Sequence, residues 1–194
     1  MREVIKSVAR GLALAAVLPE LASYWLRSQL VGKDRALEGS TQLLGLVPGL
    51  TGEYLRRAFL SCVLEHCHPS AVIGFGTVFS QTTARIDENV YIGPRCQLGL
   101  VHLERDVLLA AGVHVPSGRH THASDDPALP IRAQPMKREL VRIGAGAWIG
   151  SAAVVMADVG AGTIVGAGAV VAKPLPANVV AAGVPARVIR ARGG

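Results

Sequence analysis

The length of 194 residues fits one domain with an appended terminal segment. Half of the residues are hydrophobic, only 4% are aromatic and 22 are glycine, so the core must consist of Val, Ile, Leu and Ala with many tight turns, unlike that of an ordinary helical bundle. The formal charge is +6, but no aromatic residues interleave with the basic ones, which argues against nucleic acid as a partner.

The first segment, residues 1–30, has the apolar periodicity of a helix, with Val8 and Leu12 near one face. Pro19 is predicted to open a second short helix, because proline is tolerated in a first turn. The apolar run 12–18 is too short to span a bilayer and lacks the cleavage site of a signal peptide. We expect this segment to pack on the body of the protein; weak contact with a membrane surface is the alternative.

Residues 31–52 are predicted to be loop-rich, whereas residues 53–67, EYLRRAFLSCVLEHC, have the pattern of an amphipathic helix. The chain has three cysteines, which make a poor disulfide framework and indicate a reducing, cytoplasmic compartment. Two cysteines and two histidines cluster near the end of this helix: Cys62, His66, Cys67 and His68. Their spacing lacks the paired C-x2-C and H-x3-H pattern of zinc sites, so we expect no metal there.

Aliphatic residues then recur mostly at intervals of six. The repeating positions are Ile86, Ile92, Leu98, Leu103, Leu109, Val115, Ile143, Ile149, Val155, Val159, Val165 and Val171. Neither a helix nor an alternating strand gives this period, which is the signature of a parallel β-helix. We therefore expect a helical segment over 1–70, about five coils over 71–175 and a basic C-terminal tail over 176–194.

The repeats stop between Val115 and Val141, and the segment 117–140 is predicted to protrude as a loop. It begins with SGRHTHASDD, which displays two histidines and two aspartates where the last strand still fixes their position. A solenoid has few pockets of its own, so its sites must come from inserted loops, chain ends or neighbouring subunits. This loop is therefore the candidate functional segment.

The segment 148–190, WIGSAAVVMADVGAGTIVGAGAVVAKPLPANVVAAGVPARVIR, carries a family resemblance. Together with the upstream repeats, it makes residues 72–192 resemble the hexapeptide-repeat acyltransferases, which include galactoside, maltose and exopolysaccharide acetyltransferases. The resemblance implies a left-handed parallel β-helix and a homotrimer. It further implies an acyl-CoA donor, most simply acetyl-CoA, held between adjacent chains without a metal. The acceptor would be a hydroxyl or amine of a sugar, glycolipid or small metabolite.

In that family a loop histidine is the general base, and the motif SGRH selects His120, whereas other relatives suggest His122. Alternate positions of an extended segment point the same way, so both could face one groove. A neutral imidazole takes the acceptor proton during attack on the thioester, and no cysteine nucleophile is needed. Asp125 or Asp126 would orient the imidazole or cap the turn before Pro127.

The resemblance also implies which residues bind the acyl donor. Trp148 would wall the groove, and small residues would line the pantetheine channel. Cations would meet the phosphates of CoA, in agreement with the absence of acidic residues after Asp158. Ala172 stands where relatives often have threonine, which removes one hydroxyl contact. The implied set is Trp148, Ser151, Gly166, Ala167, Lys173, Arg187 and Arg190.

Two other functions fit the same repeats. A γ-carbonic-anhydrase-like metalloenzyme needs three histidines at a subunit interface, and His102, His114 and His120 supply that number. However, His102 and His114 adjoin inward-pointing aliphatic residues and are expected to be surface side chains, and the G-V-P-A-R-V-I-R ending favours CoA. A non-catalytic scaffold is the other alternative, but it would have no need of a long histidine-bearing loop.

Overall fold

Helices form the first third of the chain. The computed structural model describes residues 2–119 and 121–193, with side chains from residue 7 onward. Three α-helices lie within these residues, α1 (Arg2–Val31), α2 (Lys33–Gly45) and α3 (Gly49–Val63), and a 3-10 turn follows later at Ile131–Ala133. Both α2 and α3 pack against α1 and against the first coil of the β-helix.

The helices differ from the sequence predictions in two places. Pro19 lies inside α1, at an exposed position, and does not open a second helix. The segment predicted to be loop-rich is mostly α2, whose buried side includes Ala36, Leu37 and Leu44. The prediction was wrong because polar Ser40 and Thr41 occupy the same buried side and hide the apolar period.

The rest of the described chain is a parallel β-helix with three flat faces. Face A consists of β1, β4, β7 and β10; face B of β2, β5, β8, β11, β13, β15 and β16; face C of β3, β6, β9, β12 and β14. All neighbouring strands are parallel except β15 and β16. The strands are β1 His66–Cys67, β2 Val72–Ile73, β3 Val78–Phe79, β4 Arg85–Ile86, β5 Tyr91–Ile92, β6 Gln97–Leu98, β7 Val101–Leu103, β8 Leu108–Leu109, β9 His114–Val115, β10 Val141–Ile143, β11 Trp148–Ile149, β12 Val154–Val155, β13 Ile164–Val165, β14 Val170–Val171, β15 Val179–Gly183 and β16 Ala186–Ala191.

The described strands make five complete coils and part of a sixth, rather than about five in all. The stack begins at β1, within the segment predicted to continue as helix to residue 67. That prediction was wrong because α3 ends at Val63, and Cys67 then takes an inward position below Ile86. At the other end, β15 and β16 form an antiparallel pair within the segment treated above as a basic tail.

The sixfold period is confirmed as the origin of the core. Ile92, Leu109 and Ile149 occupy matching positions on successive coils of face B, and each is fully buried. The corner after such a strand has no room for a side chain: a Cβ on Gly150 would lie 2.5 Å from the backbone nitrogen of Ala167. The repeat therefore fixes both the inward aliphatic residue and the small residue that follows it.

A buried arginine joins the helices to the first coil. Arg56 of α3 is only 2% exposed. Its Nε donates to the carbonyl of Ile73 in β2 at 2.9 Å, and its NH1 donates to the carbonyls of Leu44 at 3.1 Å and Val47 at 2.7 Å. One side chain thus satisfies backbone groups of α2, the following turn and the β-helix.

Replacing Arg56 by alanine should lower the free energy of unfolding by about 2–4 kcal/mol, because buried carbonyls lose their donors. Urea denaturation at matched protein concentration measures this loss. Arg85→Ala is the control, since Arg85 pairs with Glu65 on the surface, where both are more than 40% exposed, and its removal should cost less than about 1 kcal/mol. Equal losses for the two variants would contradict the role of Arg56.

Candidate functional site

The segment between β9 and β10 folds back on itself as an arm, defined here as residues 117–140. The amide of Glu139 donates to the carbonyl of Ser117 at 2.8 Å, and that of Lys137 donates to Thr121 at 3.1 Å. The bridge between His122 and Met136 continues this antiparallel pairing. The histidine-bearing strand of the arm is therefore held by the returning strand, although the sequence showed no secondary structure there.

The base of the arm is tied to the coil. The Ser117 hydroxyl is buried and accepts a hydrogen bond from the amide of Leu100 at 3.0 Å. Gly118 has a φ of +90°, and a Cβ there would lie 2.6 Å from Cβ of Glu139. The glycine of the SGRH motif therefore permits the close approach of the returning strand.

The tip of the arm is organised by a residue that sequence reasoning missed. The buried side-chain amide of Gln134 donates to the carbonyls of Asp126 at 2.8 Å and Leu129 at 3.1 Å. Asp126 Oδ1 accepts from the amide of Ala128 at 2.8 Å, so this carboxylate caps the turn. No sequence pattern marks Gln134, because its partners lie within an irregular loop.

The two candidate bases differ in what the structure describes. His120 lies outside the described residues. His122 is exposed and follows Thr121, which is one of the residues lining a cleft of the described chain. The assignment of the base to either histidine stays a prediction.

A cleft of about 980 Å³ adjoins this strand of the arm. Its walls are the junction of α1 and α2, the outer side of face C and the base of the arm. His114 of β9 lies on the wall, as do the basic residues Lys33, Arg35 and Arg138. The sequence could not reveal this cleft, because one wall is the helix that it failed to predict.

Most of the predicted donor-binding residues lie elsewhere, along the corner between faces B and C. Ser151 follows β11 and Ala167 follows β13 on the next coil, and the amide of Gly168 donates to the carbonyl of Ser151 at 2.8 Å. Trp148 points outward from β11 and is 49% exposed. A Cβ on Gly166 would meet Cβ of Ala182 on the next coil at 2.8 Å, so this position has no room for a side chain.

The predicted cations occupy the last coils. Lys173 is exposed at the corner between β14 and the next coil of face A. Arg187 and Arg190 are exposed on β16, opposite Ala182 and Val180 of β15. All three therefore lie at the end of the stack where Trp148 and Ala167 are found.

One chain does not bring the arm and the corner residues together. The arm leaves β9 at the edge of face C that adjoins face A, whereas Ser151 and Ala167 lie at the edge that adjoins face B. The width of face C separates the two sets, and the residues that line the cleft include none of the predicted donor-binding positions.

Burial disfavours the thiolate form of two of the three cysteines. Burial raises the pKa of the Cys67 thiol to about 12 and that of Cys96 to about 11. Both thiols stay protonated near neutral pH, which disfavours them as metal ligands or nucleophiles. Cys62 is exposed on α3, away from the inward Cys67, so the CxxxHCH cluster is not a shared site.

The carbonic-anhydrase-like alternative has no structural support. His102 lies on face A, where its Nε2 is 3.0 Å from Asp87 Oδ2, whereas His114 lies on face C. Within the ranges 2–119 and 121–193, no three His, Cys, Asp or Glu side chains are grouped as metal ligands.

Comparison with known proteins gives one curated relative and several solved structures. No family model matches the chain. Over 163 residues the chain is 30% identical to the galactoside O-acetyltransferase of Escherichia coli strain K12, which covers 73% of this chain and 80% of that protein. A maltose O-acetyltransferase from Clostridium difficile 630 superposes with a TM-score of 0.69 at 21% identity, covering 86% of this chain and 89% of that one. A galactoside acetyltransferase in complex with coenzyme A gives 0.62 at 24% identity, covering 88% and 82%.

The superpositions establish the fold as that of the hexapeptide-repeat proteins, and the sequence identity to the curated relative defines the chain as an acyltransferase. The identity to the Escherichia coli enzyme extends over four fifths of that protein. The chain belongs to the galactoside O-acetyltransferase family, as its WIGS motif and G-V-P-A-R-V-I-R ending predicted.

Replacing Gly118 by alanine should lower turnover by about 10²-fold, because the new Cβ displaces the returning strand and shifts the histidine-bearing strand by a fraction of an ångström or more. Steady-state rates with an acceptor identified from a panel of hydroxyl and amine compounds measure the effect. Gly146→Ala is the matched control: Gly146 also has a positive φ, +65°, but a Cβ there has no neighbour within 4 Å. Equal rates for the two variants would show that the arm does not position the chemistry.

Proposed function

We propose that the chain transfers an acetyl or other acyl group from acyl-CoA directly to a hydroxyl or amine of a small acceptor bound in the cleft. The observation that carries this proposal is that the cleft is lined by Thr121, which stands between the two candidate bases in the sequence. The volume of about 980 Å³ accommodates a ligand of sugar size or larger. Lys33, Arg35 and Arg138 supply hydrogen-bond donors along its wall.

The chemistry needs one base and one oxyanion donor. His120 or His122, as a neutral imidazole, takes the proton from the acceptor while the acceptor atom bonds to the thioester carbonyl carbon. A backbone N–H stabilises the negative oxygen of the tetrahedral intermediate. When the carbon–sulfur bond breaks, the imidazolium returns its proton to the leaving thiolate. The raised pKa values of Cys67 and Cys96 agree with direct transfer rather than an acyl-cysteine intermediate.

The corner residues fit an acyl-CoA donor. Gly166 and Ala167 are small residues, which lets a narrow pantetheine chain approach the backbone closely, and the Trp148 ring supplies an exposed apolar wall. Ser151 stands on the adjacent coil. Lys173, Arg187 and Arg190 are exposed cations at the same end of the stack and would meet the phosphates. The related galactoside acetyltransferase is known with coenzyme A bound.

A homotrimer would complete the site. The arm and the donor-binding corner lie at opposite edges of face C, so a groove between neighbouring chains joins the arm of one to the corner of the next. An outward apolar column on face B supports such packing, since Tyr91, Leu108 and Trp148 lie in register and are each more than 40% exposed. The cysteines are all free, which supports a cytoplasmic location.

Removing two of the proposed phosphate contacts tests the donor site. Arg187→Ala combined with Arg190→Ala should raise the dissociation constant for CoA about tenfold or more, since each exposed contact contributes on the order of 1 kcal/mol. Binding of wild type should also weaken with added salt. Isothermal titration calorimetry measures both effects. The control is Arg105→Ala with Arg142→Ala, which removes the same charge from exposed positions on or beside face A and should leave CoA binding unchanged. If the change at Arg187 and Arg190 also leaves the dissociation constant unchanged, the phosphates of CoA bind elsewhere.

Removing the base tests the arm. Alanine at the true base, His120 or His122, should lower turnover by about 10²–10⁴-fold and leave CoA affinity and trimer mass intact. The wild-type rate should fall at acid pH, because a protonated imidazole cannot accept the proton. His68→Ala, on the first coil, is the control for loss of an imidazole. If both arm variants keep more than about half of the turnover, neither histidine is the base.

A further inference from the structure

The outer side of α1 is an exposed apolar surface, called here the α1 outer face. From Val8 to Val31, every exposed residue is uncharged, and all but Gln29 are nonpolar. The most exposed large apolar side chains of α1 are 57–78% exposed: Val8, Leu12, Leu18, Trp25, Leu26 and Leu30. At a rise of 1.5 Å per residue the face extends over roughly 30 Å of helix.

The opposite side of α1 is already satisfied. Val17 is buried against α2 and α3, and Tyr24 packs edge-on against Phe59 at 5.8 Å between ring centroids. The inner side of α1 therefore already supplies the contacts that hold this helix on the rest of the protein. The α1 outer face is the surplus apolar side of a helix whose other side is packed.

The paired charges of Glu20 and Arg27 on this helix point away from the outer face. Arg27 NH2 pairs with Glu20 and donates to the hydroxyl of Ser40 at 2.9 Å, while NH1 donates to the carbonyl of Ala36 at 3.4 Å. The ion pair thus joins α1 to α2. Among the described side chains of α1, no carboxylate other than the paired Glu20 is present.

Cations border the end of the face. Lys33 and Arg35 are exposed just after α1. The acidic residue between them is turned inward, since Asp34 Oδ1 accepts hydrogen bonds from the amide and the hydroxyl of Thr82, both at 2.9 Å. An apolar strip with a tryptophan, bordered by basic residues and free of exposed carboxylates, has the properties of a helix that lies in a membrane interface.

We propose that the α1 outer face docks the protein on an anionic lipid bilayer, with α1 lying flat in the headgroup region. No helix of the described residues is long and apolar enough to cross a membrane, so the contact is on the surface. An anionic surface is favoured over a second copy of the chain as the occupant, because the exposed Lys33 and Arg35 beside the face attract negative charge, whereas a second copy would bring the same two cations with it.

Vesicle flotation tests the docking. The wild type should bind vesicles of phosphatidylcholine with phosphatidylglycerol, and bind pure phosphatidylcholine and high-salt samples more weakly. Leu12→Gln with Leu26→Gln should weaken binding about tenfold or more. The matched control is Leu129→Gln with Ile131→Gln, which removes two comparably exposed residues from the arm, 50% and 58% against 67% and 60%; circular dichroism checks that each variant folds. Failure of the wild type to bind, or equal binding by both double variants, overturns the proposal.

Fluorescence locates the contact. The chain has two tryptophans, so Trp148→Phe leaves Trp25 as the single reporter. Its emission should shift to shorter wavelength on addition of anionic vesicles and be quenched by brominated lipid. Unchanged emission overturns the proposal. Light scattering gives a second test. If the wild type does not bind vesicles and has a larger mass than the Leu12→Gln, Leu26→Gln variant, the proposal is also overturned, because the α1 outer face would then pack against a second copy of the chain.

Discussion

Parallel stacking of short strands is the constraint on which the molecule depends. Each coil hydrogen-bonds to the coils above and below it, so an inward residue such as Leu109 sits directly over Ile92 and under Ile149. The corner after each strand must also stay small, as at Gly150, because the next coil passes within contact distance. A structure built in this way gives a rigid prism whose interior is closed to ligands.

A ligand site must therefore be formed by segments that leave the coils or by the outer surfaces of the coils. The arm is the main departure, and it is held by a backbone ladder from Ser117 to Glu139 rather than by burial of large side chains. Ser151 and Ala167, proposed to bind the donor on the upper coils, lie across face C from it. This arrangement is the physical reason for proposing a shared site: a single prism cannot fold two of its own edges together, whereas neighbouring prisms can place one edge against another.

The N-terminal helices complete the first coils and form one side of the cleft. Arg56 links α3 to β2 and to the end of α2, and Asp34 links the start of α2 to Thr82. These polar contacts fix where α2 stands, and hence the wall opposite His114. The same packing leaves one side of α1 without a partner among the described residues, so the cleft and the exposed apolar face have one structural cause.

The sequence by itself determined the β-helix, because the six-residue period is local and each inward-pointing residue can be read from it. The WIGS motif and the chain ending added the acyltransferase class, and SGRH marked the arm. Only the tertiary structure decided that residues 33–45 are helical, that Gln134 organises the arm and that the arm and Ser151 lie at opposite edges of face C. These features rest on contacts between residues far apart in the sequence, or on irregular loop hydrogen bonds. No local period records such contacts, since the energy that selects them exists only once the coils and helices have packed.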